Sequence, residues 1–389
     1  MTGLLVHSAR LVATDAQGAP SDTPDAWVLL RDGLVHAAGT GDSWRDTVRA
    51  GDEIVDAGEV AGPGAILTPG LVDIHTHGGG GGDTGGDAAD IARALAVHAR
   101  HGVTRVVLSL VSAPVEDLVA RLERIAALQE TQPGIVGVHL EGPFLDPGHC
   151  GAHDPAVLQA PTPAALDRLL GTGVVRQVTL APELDGGLAA VRRIRASGAV
   201  AAVGHTDADA ATVHAAIEAG ATLLTHAFNA MPPLRHRAPG PVGIALADER
   251  MTLEVIADGH HVDPVVVGML FRAAPGRVAR VSDAMAAAGA PDGAYTLGPL
   301  EVDVADGVAR IRGTGVLAGS TLTLDQAVRN VVGYGVPLPA AIAAATAVPA
   351  SAIGRPDLGR VRPGNPGDLV LWARDLRPMA TWRGGIRVG

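Results

Sequence analysis

Lysine is missing altogether: the 30 basic side chains of this 389-residue chain are all arginine. A carboxylated lysine bridging two metal ions is therefore excluded, and so is the lysine that a nucleotide-binding phosphate loop requires. Cysteine is nearly missing as well, and the single Cys150 rules out an intramolecular disulfide framework. Aromatic residues make up 2% against 47% hydrophobic residues. The core must then be built from Ala, Val, Leu and Ile packed closely on a glycine-rich backbone, which suits a repetitive α/β architecture. No apolar run reaches the length of a membrane span. Residues 1–10 show no basic segment followed by an apolar stretch and a small-residue cleavage site, so the chain reads as soluble and cytoplasmic, without a membrane partner. A basic footprint is missing too. The formal net charge of -11 argues against nucleic acid as a partner, and an anionic substrate would need a local positive site.

What is present divides into two textures. Residues 1–60 carry short apolar runs (4–6, 27–30, 34–38, 53–55) broken by turn residues such as Asp32-Gly33. The same texture returns after Arg360, with strands expected over 368–372 and 386–388 behind the Pro363-Gly364 and Pro366-Gly367 turns. One small β-sandwich domain made from both termini, 1–60 and 360–389, is the simplest account. Between them, over 61–359, short apolar strands alternate with helical stretches rich in Ala, Leu and Arg. Eight strands are expected, at 66–74, 104–110, 135–140, 175–181, 200–203, 222–224, 253–256 and 278–281. Helices are expected at 88–101, 115–129, 164–170, 188–197, 208–219, 264–273 and 323–332. Regular alternation predicts a parallel sheet, and eight repeats over this length match a closed (β/α)₈ TIM-type barrel better than an open sheet.

Polar residues gather just beyond the C-terminal ends of these strands, where such barrels place their chemistry. In Asp73-Ile74-His75-Thr76-His77 the alternation of an extended backbone turns His75 and His77 to one side. Strand three ends in His139-Leu140-Glu141, strand five in Gly204-His205, strand six in Thr225-His226 and strand eight in Ser282-Asp283. A single His or Asp at a strand end is more often structural or a cap. Five such positions on one rim form a pattern. Imidazole and carboxylate donors in this ratio suit Zn²⁺ or Fe²⁺ with a position left open for water. Such a metal acidifies water and polarises a carbonyl, the two requirements for attacking an amide. Asp283 fits a general base that takes the water proton and returns it to the leaving amine. The Gly78 to Gly82 run lacks the Lys and Ser/Thr of a phosphate loop. His98, His101 and His214 fall on expected helices and read as surface residues, and Asp146 to Cys150 reads as a mobile loop.

These motifs resemble the N-acetylglucosamine-6-phosphate deacetylases of the amidohydrolase superfamily over essentially the whole chain. The resemblance is carried by Pro69-Gly70-Leu71-Val72-Asp73-Ile74-His75-Thr76-His77, by Gly137 to Leu145 with Gly151-Ala152-His153, and by Thr179-Leu180-Ala181-Pro182-Glu183. It continues through Gly204-His205-Thr206, Thr225 to Met231, Ala257-Asp258-Gly259-His260-His261-Val262 and Ser282-Asp283-Ala284. It implies that Glu141, His205 and His226 bind the main metal and that Asp283 is the catalytic acid/base. Because some members replace the two histidines by Gln and Asn, His75 and His77 imply the type that can hold two ions, one or two per subunit. Substrate contacts are implied for His153, Asn229, Ala230, His261 and Leu317. Arg237 is implied to reach the phosphate of the neighbouring site across a homodimer interface; its planar fork suits a phosphate. Whether His260 or His261 meets the phosphate stays open. The expected reaction is hydrolysis of N-acetyl-D-glucosamine 6-phosphate to D-glucosamine 6-phosphate and acetate. The alternatives are the galactosamine epimer and, from a different class, a non-catalytic scaffold, against which the full set of polar residues argues.

Overall fold

The computed structural model describes residues 3–389. Five strands, β1 (Leu4–Thr14), β2 (Pro20–Arg31), β3 (Leu34–Thr40), β4 (Glu53–Asp56) and β5 (Ile66–Pro69), precede the barrel, with the short helix α1 (Ala57–Ala61) between the last two. The barrel strands and helices then alternate. They are β6 (Leu71–Thr76), the hairpin β7 (Gly78–Gly79) and β8 (Gly82–Asp83), α2 (Ala88–Arg100), β9 (Val103–Val111), α3 (Val115–Gln129), β10 (Ile135–Glu141) and α4 (Pro163–Leu170). They continue with β11 (Val175–Leu180), α5 (Gly187–Ala196), β12 (Val200–Val203), α6 (Ala210–Ala219), β13 (Leu223–Leu224), α7 (Gly240–Ala247), β14 (Thr252–Ile256), α8 (Pro264–Ala273) and β15 (Val278–Val281). After them come β16 (Gly293–Leu297), β17 (Leu300–Ala305), β18 (Val308–Ile311), the helices α9 (Leu324–Gly333), α10 (Leu338–Ala343) and α11 (Ala347–Ala352), and β19 (Leu369–Trp372), β20 (Pro378–Arg383) and β21 (Ile386–Arg387).

Eight parallel strands run in the order β15-β14-β13-β12-β11-β10-β9-β6, and their ends meet through a parallel bridge between Thr76 and Ala284. Two backbone bonds fasten the seam: His77 N–H to the Ala284 carbonyl at 2.7 Å and Asp283 N–H to the His75 carbonyl at 2.9 Å. Buried Asp73 adds two more at 3.3 Å by accepting from the N–H groups of His75 and Ser282. The acid at the head of the Asp73-Ile74-His75 motif thus serves the closure of the barrel. The core is aliphatic, as the shortage of aromatics required, and Phe144 and Trp372 are its few large rings.

The stretch 66–74 is two strands, because the chain turns from one sheet into another at Gly70. β5 pairs with β1 and β19 in the eight-stranded sheet built from both termini, whereas β6 opens the barrel. Only glycine fits at the crossing, since a Cβ on Gly70 would lie 2.2 Å from Thr104 Oγ1. Helix α7 has no counterpart in the sequence reading. It is apolar nearly all round, so it shows no amphipathic period, and it opens on Gly240-Pro241, where proline is tolerated in a first turn. The antiparallel sheet β16-β17-β18 was also unexpected, although Asp306-Gly307 between β17 and β18 is a hairpin signal. Its inner face packs on Val111, Met285 and Ala318, beside the mouth of the barrel. His98 overturns its surface reading: it is 1% exposed and its Nε2 meets the Gly78 carbonyl at 2.9 Å. His101 is half-buried against Asp325, and His214 is exposed. Among the described residues, no helix is long and apolar enough to cross a membrane.

Candidate metal centre and substrate cavity

Strand ends aim the polar side chains at one point. His205, His226 and Asp283 take left-handed backbone conformations, with φ of 48°, 25° and 48°, as do neighbouring Phe228 and Ala230. Such conformations are costly for residues with a Cβ, and their clustering at a barrel mouth marks a functional constraint. They swing each side chain out of the strand's alternation and into the opening.

Glu141 sits at the centre. Its Oε1 lies 3.1 Å from Nε2 of both His205 and His226, and its Oε2 lies 3.1 Å from His77 Nε2 and 3.3 Å from His153 Nε2. Asp283 Oδ1 is 3.4 Å from His75 Nε2 and 3.3 Å from His77 Nε2, and the two Nε2 atoms are 3.1 Å apart. Two neighbouring groups have donor atoms close enough for a shared cation: His75, His77 and Asp283, and Glu141, His153 and His205. The tautomers agree with that use. His205 donates through Nδ1 to the His149 carbonyl at 2.9 Å, leaving Nε2 toward Glu141, only 2.9 Å from His226 Nε2. Two imidazole nitrogens at that separation need a proton or a cation between them. Buried Nδ1 atoms of His77 and His226 find no protein partner among the described residues.

The electrostatics are those of a cation site. Burial alone would raise Glu141, but His75 and the hydrogen bonds of His153, His205 and His226 hold it well below the usual carboxylate range. Asp283 is likewise opposed by burial and held at about 2, chiefly by His75 and His77. Burial opposes a charge on His77, yet Asp283 and Glu141 push it up to about 9. Carboxylates held ionised draw positive charge onto His75 and His77, which marks a place where a cation is favoured; a divalent metal taking the place of those protons would find neutral imidazole nitrogens and carboxylate oxygens as donors.

A cavity of about 330 Å³ opens on this cluster and is lined by His77, Glu141, His153, His205, His226 and Asp283. Asn229, Ala230, His261, Leu297 and Leu317 line it as well. His261 faces it and bonds Asp258 Oδ2 through Nδ1 at 2.6 Å, whereas His260 is exposed and does not line it. Arg237 is the one candidate substrate residue lying elsewhere. It sits on the exposed 233–238 loop and borders a neighbouring cavity with Arg235 and the starts of α6 and α7. Among the described residues, the lining of the central cavity contains no arginine at all.

Several site residues escaped the sequence reading. Glu254, on β14, contacts His75 Nδ1 at 3.1 Å, and Gln177 on β11 donates to Glu254 at 2.9 Å. A lone acid in the apolar run Thr252–Ile256 was the available signal. Ser112, whose N–H meets His153 Nδ1 at 3.1 Å, gave none.

Residues 66–387 match the model of the amidohydrolase family. The N-acetylgalactosamine-6-phosphate deacetylase of Escherichia coli O157:H7 is 41% identical over 325 residues, 82% of this chain and 86% of that protein. The N-acetylglucosamine-6-phosphate deacetylase of Vibrio furnissii is 36% identical over 324 residues, 81% of each. Among solved structures, a point mutant of N-acetyl-D-glucosamine-6-phosphate deacetylase from Mycobacterium smegmatis, in complex with N-acetyl-D-glucosamine-6-phosphate, aligns with a TM-score of 0.92 at 39% identity, covering 100% of both chains. With the strand-end histidines and acids grouped at the mouth of a parallel barrel, the chain belongs to the amidohydrolase family, in the branch of the N-acetylhexosamine-6-phosphate deacetylases.

Proposed function

We propose that this chain hydrolyses N-acetyl-D-glucosamine 6-phosphate to D-glucosamine 6-phosphate and acetate. The observation that carries the reading is that Asp283 and the Glu141 and histidine cluster line one cavity together with Asn229, Ala230 and His261. A relative with that substrate bound shares the whole fold.

Glu141, His205 and His226 would hold one ion, and His75 and His77, sharing Glu141, would hold a second. Nitrogen and oxygen donors in this set suit Zn²⁺ or Fe²⁺. The metal supplies acidification of water and polarisation of the acetamide carbonyl. Asp283 accepts the proton as water adds to the carbonyl carbon, then delivers it to the amine nitrogen as the C–N bond breaks, so that acetate and the amino sugar leave. His153 faces the same space with an Nε2–H and is placed to donate to the acyl oxygen as charge develops there. Leu317 stands where the acetyl methyl would pack.

The phosphate would meet His261, Asn229 and the N–H groups near Ala230. A dianion held by these alone would be short of positive charge, because the cavity has no arginine of its own among the described residues. Arg237, exposed on its loop, would supply that charge to the cavity of a second copy, making the working form a homodimer. A cytoplasmic setting is part of the proposal, consistent with a charged sugar phosphate that does not cross a bilayer unaided.

The test is acetate release by metal-loaded protein from N-acetylglucosamine 6-phosphate, N-acetylgalactosamine 6-phosphate and unphosphorylated N-acetylglucosamine, with Asp283→Asn as control. Preference for the first, lost in the variant, is expected. Preference for the second would move the assignment to the galactosamine epimer, a reading favoured by the 41% identical relative. Equal rates on all three would remove Arg237 and His261 as phosphate readers.

A further inference from the structure

Glu254 is a fully buried carboxylate, 0% exposed, in the middle of barrel strand β14. Its Oε2 accepts from His75 Nδ1 at 3.1 Å and lies 3.3 Å from the N–H of His226; its Oε1 accepts from Gln177 Nε2 at 2.9 Å. No arginine is among these partners. A neutral glutamine could make the same contacts, so desolvating a charge here has no structural need behind it. The charge falls on the outer nitrogen of one imidazole. A carboxylate behind a histidine fixes the ring's tautomer and raises the basicity of the nitrogen facing the metal.

We infer that Glu254 is a positioning residue that sets His75 as a metal ligand and thereby controls how tightly the His75–His77 half of the centre holds its ion. This rests on the reading of the cluster as a metal site. The effect is confined to one half, because His205 is oriented by a different acceptor, the His149 carbonyl, and Glu254 reaches His226 only through the main chain.

Gln177 makes a clean test available. Its Oε1 has no partner among the described residues. In Glu254→Gln the Gln177 amide can therefore turn over and accept from the new amide, so the hydrogen bonds survive and only the charge is lost. The double variant Gln177→Glu/Glu254→Gln keeps a buried carboxylate but moves it away from His75.

Zinc content and affinity are measured by chelator competition and elemental analysis on the full chain, alongside the melting temperature of metal-free protein. Glu254→Gln is expected to weaken one ion by about ten- to a hundred-fold while the other is unchanged, with no fall in the metal-free melting temperature. Added to His77→Gln, it should cause no further loss, and the charge swap should not restore binding. Wild-type zinc binding in Glu254→Gln, or full recovery in the swap, would overturn the inference and leave the metal reading intact. A wild-type chain that takes up no zinc would overturn both.

Discussion

The Ser112 N–H donates to Nδ1 of His153 across 3.1 Å, which decides where this ring carries its proton. Burial pushes His153 down to about 4, so the ring is neutral, and a neutral imidazole accepting at Nδ1 has its N–H on Nε2, 3.3 Å from Glu141 Oε2. His153 is close enough to Glu141 and His205 to join a metal triad, but as a donor it cannot also offer a lone pair from that atom. Replacing His153 by Ala is expected to lower kcat by about a hundred-fold or more, the scale of a lost oxyanion donor, with bound metal unchanged. Loss of the ion in that variant would make His153 a ligand instead.

Asp283→Asn removes the proton acceptor while keeping the side chain's shape. Deacetylation should drop by about a hundred- to ten-thousand-fold, since a general base contributes on that scale. Burst and steady-state acetate measurements should both fall. A variant that retains a tenth of the wild-type rate would assign the proton transfer to another group.

Arg237→Ala should raise KM for the phosphorylated sugar by about ten-fold or more, as expected when a charge-assisted hydrogen bond is lost. Unphosphorylated substrate should be unaffected. Mixing Arg237→Ala with Asp283→Asn chains should restore activity in heterodimers, where one site has both a native Asp283 and a native Arg237. No recovery on mixing would place the arginine's action within its own subunit.

In the sheet formed by both termini, the Arg49 N–H and then the Arg31 guanidinium, at 2.6 Å, hold half-buried Asp52 at about 2. The folded pKa lies below the usual value near ~4. The stabilisation is therefore complete above that value and is lost as pH falls toward about 2. Asp52→Asn should cost about 2 kcal/mol at neutral pH and almost nothing near pH ~2, read from denaturant melts of both proteins. A difference independent of pH would remove the charge from the account.

Gly70→Ala should destabilise the fold by about 1–3 kcal/mol, the usual cost of overpacking. Its Cβ would lie 2.2 Å from Thr104 Oγ1 and 2.5 Å from Cγ2. Thr104→Ala in the same chain should recover part of the loss in melting temperature. An unchanged melt for Gly70→Ala would mean that the crossing between sheets relaxes easily.

The barrel, and the polar residues at its strand ends, were legible in the sequence alone for a local reason. Strands and helices alternate with their own hydrophobic periods, and His75, His77, Glu141, His205, His226 and Asp283 stand where apolar runs stop. Neither feature needs knowledge of distant contacts. Helix α3 fell on the expected residues because its apolar face, Leu118, Leu122 and Ile125, repeats within its own turns behind Pro114. Tertiary structure decided whatever depends on a partner far along the chain. Glu254 meets His75 across 179 positions, and the seam joins His77 to Ala284, so neither pairing leaves a trace in a local window. His98 lies on the same buried helical face as Ile91, Ala94 and Leu95, so the period itself pointed inward; the polar residue type alone suggested the surface, and its contact with the Gly78 carbonyl forms only in the folded chain. Arg237 stands apart from the cavity its motif implied, since an exposed loop is positioned by what it docks against. Local periodicity fixes which residues reach the rim. Only closure of the barrel sets which of them touch, which nitrogen carries each proton, and which charges are left facing one another.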